Sequence, residues 1–166
     1  MEIIVQTGEL LRESSDLAVL VAFEETPLPA EVAGLLEPAD FSDRAKQSLL
    51  VYPRGAVTPR RLLLLGLGKR EEATADSVRQ VAALAAQKAK ELQVAAFTIG
   101  LQDSLALAPE VLAQALAEGA ELGVYSYNRY KTGLSKEQTF QVERATFVAA
   151  GDAERLRAGV ALGQAV

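Results

Sequence analysis

The sequence predicts an α/β domain layered on a mixed sheet. Short β-rich runs alternate with helical patterns, two of those runs are apolar throughout, and hairpin-like spacing within the first 65 residues implies some antiparallel strands. The 166 residues, 49% hydrophobic and 23% charged, have the size and mix of one compact domain with a short appendage. Strand–helix–strand alternation implies right-handed crossovers.

Residues 2–6 and 16–23 read as the first two strands. Leu17-Ala18-Val19-Leu20-Val21-Ala22-Phe23 has no polar position, as expected of a central strand covered on both faces. Four breakers, Pro27, Pro29, Gly34 and Pro38, then surround one short helical piece at 30–36. Residues 48–52 form a further strand ending at Pro53-Arg54-Gly55, and residues 61–66, with four consecutive leucines, form another, stopped by Gly66-Leu67-Gly68. The clearest helix spans 75–92, with Val78, Val81, Ala82, Ala85, Ala89 and Leu92 on one stripe and either Thr74 or Asp76 as its cap.

A strand at 94–99 closes on Gly100, and a second long helix covers 110–127. Its inner face carries Leu112, Ala115, Leu116, Gly119, Leu122 and Gly123. Ala115, Gly119 and Gly123 lie four apart, a line without bulk that lets the helix backbone lie close to the sheet. That approach offsets the roughly 1 kcal/mol each glycine costs in a helix interior. The last strand is 141–149, and a third helical pattern starts near Asp152. Its apolar stripe of Leu156, Val160 and Gly163 ends at Val166 without a cap, so residues 152–166 read as the start of a connection to something further.

Composition excludes much chemistry. With no cysteine there is no disulfide, thiolate nucleophile, Fe–S cluster or cysteine zinc site. Without histidine there is no Ser-His pair and no imidazole metal ligand. A formal charge of −5 argues against non-specific nucleic-acid binding, which rests on Lys and Arg neutralising phosphates. No apolar run approaches the roughly 18 residues of a membrane helix. Met1-Glu2-Ile3-Ile4-Val5 lacks a basic leader, so a cytoplasmic location is expected.

Candidate motifs are few. Gly66-Leu67-Gly68-Lys69 follows a strand, but Arg70 stands where a phosphate loop needs Ser or Thr, and Glu71 where a dinucleotide fingerprint needs glycine. A tight turn is the better account. Arg54, Arg60, Arg61, Lys69 and Arg70, with no acid among them, form the one concentrated basic stretch, a candidate docking patch for an anion, a nucleic acid or an acidic partner. Glu24-Glu25 and Glu71-Glu72 read as surface acids, since a metal needs ligands converging from several elements. Ser135-Lys136 is a poor nucleophile pair, because adjacent side chains seldom reach hydrogen-bond geometry. Tyr125, Tyr127 and Tyr130, interleaved with Arg129 and Lys131, are expected to seal the helix end against the sheet.

Those residues also carry a resemblance. Leu62-Leu63-Leu64-Leu65-Gly66-Leu67-Gly68-Lys69, an Ala-rich helix, a strand, and then Glu118-Gly119-Ala120 through Leu122-Gly123-Val124-Tyr125-Ser126-Tyr127-Asn128-Arg129-Tyr130-Lys131-Thr132 resemble the N-terminal domain of the leucyl aminopeptidases (peptidase family M17). The likeness covers essentially the whole chain; Tyr127 stands where Phe is usual and Asn128 where Asp is common. It implies a macro-domain-like three-layer α/β/α sandwich over 1–151, with 152–166 beginning a helix to a C-terminal catalytic domain. Gly66, Gly68, Gly119, Tyr125, Tyr130, Lys131 and Thr132 would be structural members of the family pattern.

By the same resemblance, peptide hydrolysis and its two divalent metals, zinc with manganese or magnesium possible, belong to that second domain, whose signatures do not occur in this chain. No catalytic or metal residue is assigned here. The implied partners are the chain's own catalytic domain, peptide substrates of the whole enzyme, and further subunits in a homohexamer. Two other readings stay open: a nucleotide or ADP-ribose-type module rimmed by Gly66-Leu67-Gly68 and Gly100, and a DNA-binding regulatory domain using the five basic residues.

Overall fold

The computed structural model describes residues 1–24, 26–37, 41, 47–100, 107–129, 140–149, 151 and 153–165. Six strands form one sheet: β1 (Glu2–Thr7), β2 (Ala18–Phe23), β3 (Ser48–Val51), β4 (Leu62–Gly68), β5 (Ala96–Gly100) and β6 (Arg144–Ala149), in the order β1-β6-β5-β2-β4-β3. All pairings are parallel except that of β3 with β4, so the mixed sheet expected from the hairpin-like spacing is present. The one antiparallel pair is the one that a short connection can make; the parallel neighbours need helical crossovers.

Alternation of side chains explains the apolar runs. Along β2, with Leu17 just before it, and β4, Leu17, Val19, Leu63 and Leu65 enter the larger core, while Ala18, Leu20, Leu62 and Leu64 enter a second, smaller one. A strand that must be apolar on both faces sits between two covered sides. The larger core lies under three long helices: α2 (Ala75–Glu91), α3 (Pro109–Arg129) and α4 (Ala153–Gln164). On the opposite face, Leu10 from a 3-10 turn (Leu10–Arg12) and Val32 from α1 (Ala30–Ala33) cover the sheet, giving three layers of unequal thickness. There the Thr98 hydroxyl donates to Ser15 Oγ at 2.8 Å, and Ser15 in turn donates to the Leu17 carbonyl at 2.8 Å, satisfying the buried threonine.

Thr74, not Asp76, caps α2: its Oγ1 accepts from the Ser77 amide at 3.2 Å, and Ser77 Oγ accepts from the Thr74 amide at 3.2 Å. The structure shifts other boundaries too. β4 runs on through Gly68 instead of stopping at Gly66, because Gly68, at φ 81°, supplies the left-handed turn that ends it. β6 starts at Arg144 rather than 141.

The smooth line on α3 serves a different neighbour from the one expected. A Cβ on Gly119 would collide with the backbone of Arg79, and one on Gly123 with that of Ala83; both neighbours are in α2, not the sheet. On the next flank, Gly159 of α4 lies against the Glu110 backbone, and Gly163 against Gln114 and Ala117. The three helices therefore run side by side in the same direction, backbone close to backbone.

Gly119→Ala should lower stability by about 2 kcal/mol, despite alanine's better helix propensity, because the clash is with main chain that cannot rotate away. Gly151→Ala, with nothing within 4 Å of the added carbon, should be neutral. Urea midpoints at constant slope would show the contrast.

Candidate functional site

The five basic residues divide between the two ends of β4. Arg54 lies in the turn after β3, at φ 52°, and Arg60 and Arg61 lie just before β4. Lys69 and Arg70 follow β4 at its other end, seven strand residues away, or roughly 20 Å at strand rise. Each group also has local partners. Arg60 Nη1 is 3.6 Å from Asp16 Oδ1, and Arg61 Nη1 donates to the Asp16 carbonyl at 3.3 Å. Arg70 stacks over the Phe23 ring at 4.5 Å and donates to Thr26 Oγ1 at 3.2 Å.

That stacking closes the crest where a ligand of a parallel sheet would sit. β2 leaves toward the far face while β4 leaves toward the helices, so their C-terminal ends form a topological switch point. The chain fills it: the Glu24 amide donates to the Gly68 carbonyl at 2.8 Å, and Arg70 lies over the neighbouring Phe23 ring. Of the proposed rim, Gly66 lies inside β4, and the Gly100 position is covered by Leu10, 3.2 Å from where a Cβ would stand. Residues 101–106 lie outside the described set.

Acidic groups show no convergence. Glu71 and Glu72 occupy a 3-10 turn (Arg70–Glu72), and Glu25 lies outside the described residues. Among the described residues, no three of Asp, Glu, His or Cys stand together as a metal would require, and the chain has neither His nor Cys.

The tyrosine-rich end of α3 corrects two expectations. Tyr125 is 64% exposed and Leu122 57% exposed, so neither seals the helix against the sheet. The reason is the glycine line: with Gly119 and Gly123 pressed on α2, these two side chains rotate outward. Tyr130, Lys131, Thr132, Ser135 and Lys136 fall outside the described residues, and Tyr127 lies on α3 without a described side chain. Leu122 and Tyr125 line an open groove with Met1, Arg79, Glu118 and Gln164.

Sequence reasoning missed three polar features, two ion pairs between helices and one buried lysine. Arg79 of α2 donates through Nε to Glu118 of α3 at 2.6 Å, and Gln114 donates to the other Glu118 oxygen at 2.9 Å. These bonds, Arg79 first, hold the Glu118 carboxyl below the usual carboxylate range. Glu110 is lowered similarly by Arg155 of α4, whose Nη2 donates at 2.9 Å. Lys90 is buried in the last turn of α2, where its ammonium donates to the Phe140 carbonyl and desolvation pulls its pKa below the ordinary lysine value. Lys90 follows the buried Ala86 by four residues, on the flank of the apolar stripe, and that spacing was the available signal.

What the described residues define is an α/β domain in which the paired side chains named above tie its own elements together, while Arg61 Nε is buried without a hydrogen-bond partner. Residues 11–133 match the model of the cytosol aminopeptidase family, N-terminal domain. The chain belongs to that family. It is 42% identical over 167 residues to a probable cytosol aminopeptidase of Roseiflexus castenholzii, covering all of this chain and 34% of that protein. A probable cytosol aminopeptidase of Geobacter sp. (strain M21) is 38% identical over 117 residues, 69% of this chain and 23% of its own length. The chain thus spans about a third or less of these relatives.

Among solved structures, a mutant of tomato leucine aminopeptidase superposes with a TM-score of 0.75 at 22% identity, over 99% of this chain and 35% of that one. The bottromycin maturation enzyme BotP in complex with Mn gives 0.64 at 22% identity, over 92% and 30%. These likenesses show a shared α/β fold.

Because Glu118 is depressed in the folded state, its contribution is complete above the unfolded glutamate value of about 4.3 and is lost as pH falls through the lower folded one. Unfolding measured across that acid range should show a shallower pH dependence in Glu118→Gln. Lys90 acts on the alkaline side with the opposite cause. The unfolded chain holds the proton up to about 10.4 and the folded chain releases it earlier, so stability should rise with pH in that window. Lys90→Met should abolish the rise.

Proposed function

We propose that this chain is the non-catalytic N-terminal domain of a metal-dependent leucyl aminopeptidase, serving structure and assembly. The observation that carries the reading is the family match over residues 11–133, joined to a described surface on which no metal-holding group converges. The relatives' names supply the activity of the whole protein, removal of N-terminal residues from peptides. In that whole protein, two divalent ions, zinc with manganese or magnesium as alternatives, would belong to a catalytic domain beyond the matched third; BotP was solved with Mn. Residues 1–151 would be the domain proper and 152–166 the first part of the connection onward. Its own catalytic domain and further copies in a homohexamer would be its partners, in the cytoplasm.

Neither other function class gains from the geometry. A nucleotide would have to displace Arg70 from Phe23 and Leu10 from Gly100, and DNA would meet two separated basic groups.

Purified, protease-free chain should not hydrolyse leucine amide or leucine p-nitroanilide with added zinc or manganese, and should lose zinc on dialysis. Turnover that tracks the chain through purification would overturn the proposal.

A further inference from the structure

The two edges of the sheet are treated differently. On β1, the residues whose main-chain groups face outward are Met1, Ile3 and Val5, because the Glu2 amide bonds inward to Glu143 of the β6 side. α4 covers this edge: Gln164 donates to the Met1 carbonyl at 3.2 Å and Arg157 to the Val5 carbonyl at 3.3 Å.

On β3 the pattern follows from the Gly66 amide donating to the Gln47 carbonyl at 2.8 Å. With Ser48 opposite Leu65 and Leu50 opposite Leu63, the hydrogen-bonded positions are Gln47, Leu49 and Val51. The amides and carbonyls of Ser48, Leu50 and Tyr52 therefore point away from the sheet. Among the described residues, none bonds to them.

We propose that this open edge pairs antiparallel with the same edge of a second copy of the chain. The inference deepens the assembly role proposed above and rests on that reading. Three features select a second copy over an unrelated extended peptide. First, residues 47–53 read Gln-Ser-Leu-Leu-Val-Tyr-Pro and carry no charge, in a chain that is 23% charged. A two-fold axis sets a central residue against itself, which a charged side chain would resist; here Leu50 meets Leu50, and Ser48 meets Tyr52. Second, natural edges are usually blunted by charge, proline or cover, and this one has none within the strand. Tyr52 stands 54% exposed beside it, and Pro53 ends the pairing where its missing amide would break the ladder. Third, α4 reaches two outward carbonyls of β1, whereas none of the described residues bonds the outward groups of β3. Pairing through a single self-complementary edge closes into a dimer, whereas two open edges would propagate into a fibre.

Five paired residues bury less than the ~1,200 Å² of a durable interface, so the isolated chain should associate weakly. Sedimentation equilibrium from about 10 μM to about 1 mM covers that range. The wild type should show reversible dimer, Ser48→Thr should retain it, and Ser48→Pro, which removes an outward amide at an exposed position, should be monomeric. Amide hydrogen exchange adds a readout free of substitution. Exchange at Leu50 and Tyr52 should slow several-fold with concentration, as mass action requires, while Leu49 and Val51 stay constant.

Dimerisation without concentration-dependent protection at Leu50 and Tyr52, or undiminished in folded Ser48→Pro, would overturn the edge and leave the assembly role standing. A chain monomeric throughout would overturn the edge pairing alone, since turnover is what tests the reading of the chain as a non-catalytic domain.

Discussion

The close approach of three helix backbones is the constraint from which the rest of this domain follows. Gly119 and Gly123 remove the side chains that would hold α3 away from α2, and Gly159 and Gly163 do the same for α4 against α3. Each glycine costs helix propensity of about 1 kcal/mol, and the dense contact between backbones offsets it. With the axes so near, Arg79–Glu118 and Arg155–Glu110 span adjacent helices directly, the second pair through two hydrogen bonds. Partly exposed pairs of this kind add little stability each. Their geometric consequence is clearer: they hold the three helices at one axial offset, which the glycine contacts alone would leave free to slide by a turn.

That slab then decides what faces outward. Leu122, Tyr125 and Leu162 are large and apolar, yet more than half exposed, because the contact lines of α3 and α4 are taken by glycine and alanine. The position of α4 also covers β1, placing Arg157 and Gln164 where they reach its outward carbonyls. One sheet edge is thus protected as a by-product of helix packing. β3 lies at the far end of the strand order, beyond the reach of that layer.

Much of this was legible in the sequence because it depends on short-range pattern. The four leucines of β4 and the unbroken apolar run of β2 announced strands covered on both faces, and both are buried on two sides. The mixed sheet was legible from connection length, since β3 and β4 are joined too briefly for a crossover. What escaped depends on which surface an element meets. A small-residue line on α3 signals close approach, but not whether a helix or a sheet approaches; Arg79 and Ala83 answered that. The basic stretch looked contiguous because sequence distance is short, whereas a strand spreads seven residues over roughly 20 Å. Lys90 was hidden by its charge: a lysine is read as solvated until a carbonyl such as that of Phe140 is seen inside.

The distribution of polar partners bears on why we read this chain as one that binds its own kind rather than transforms a substrate. A reaction centre keeps groups uncommitted, with unpaired donors or acids held together at a cost to stability. Here the perturbed groups are matched by structural bonds: Glu118 to Arg79 and Gln114, Glu110 to Arg155, Lys90 to the Phe140 carbonyl. Arg70, at the position where a parallel sheet offers its ligand crest, lies on Phe23. Among the described residues, uncommitted main-chain hydrogen-bonding capacity runs along β3, at Ser48 and Leu50, with Tyr52 just beyond it. Main-chain groups in an extended row have one natural complement, another extended row, and the uncharged sequence around them suits a copy of itself.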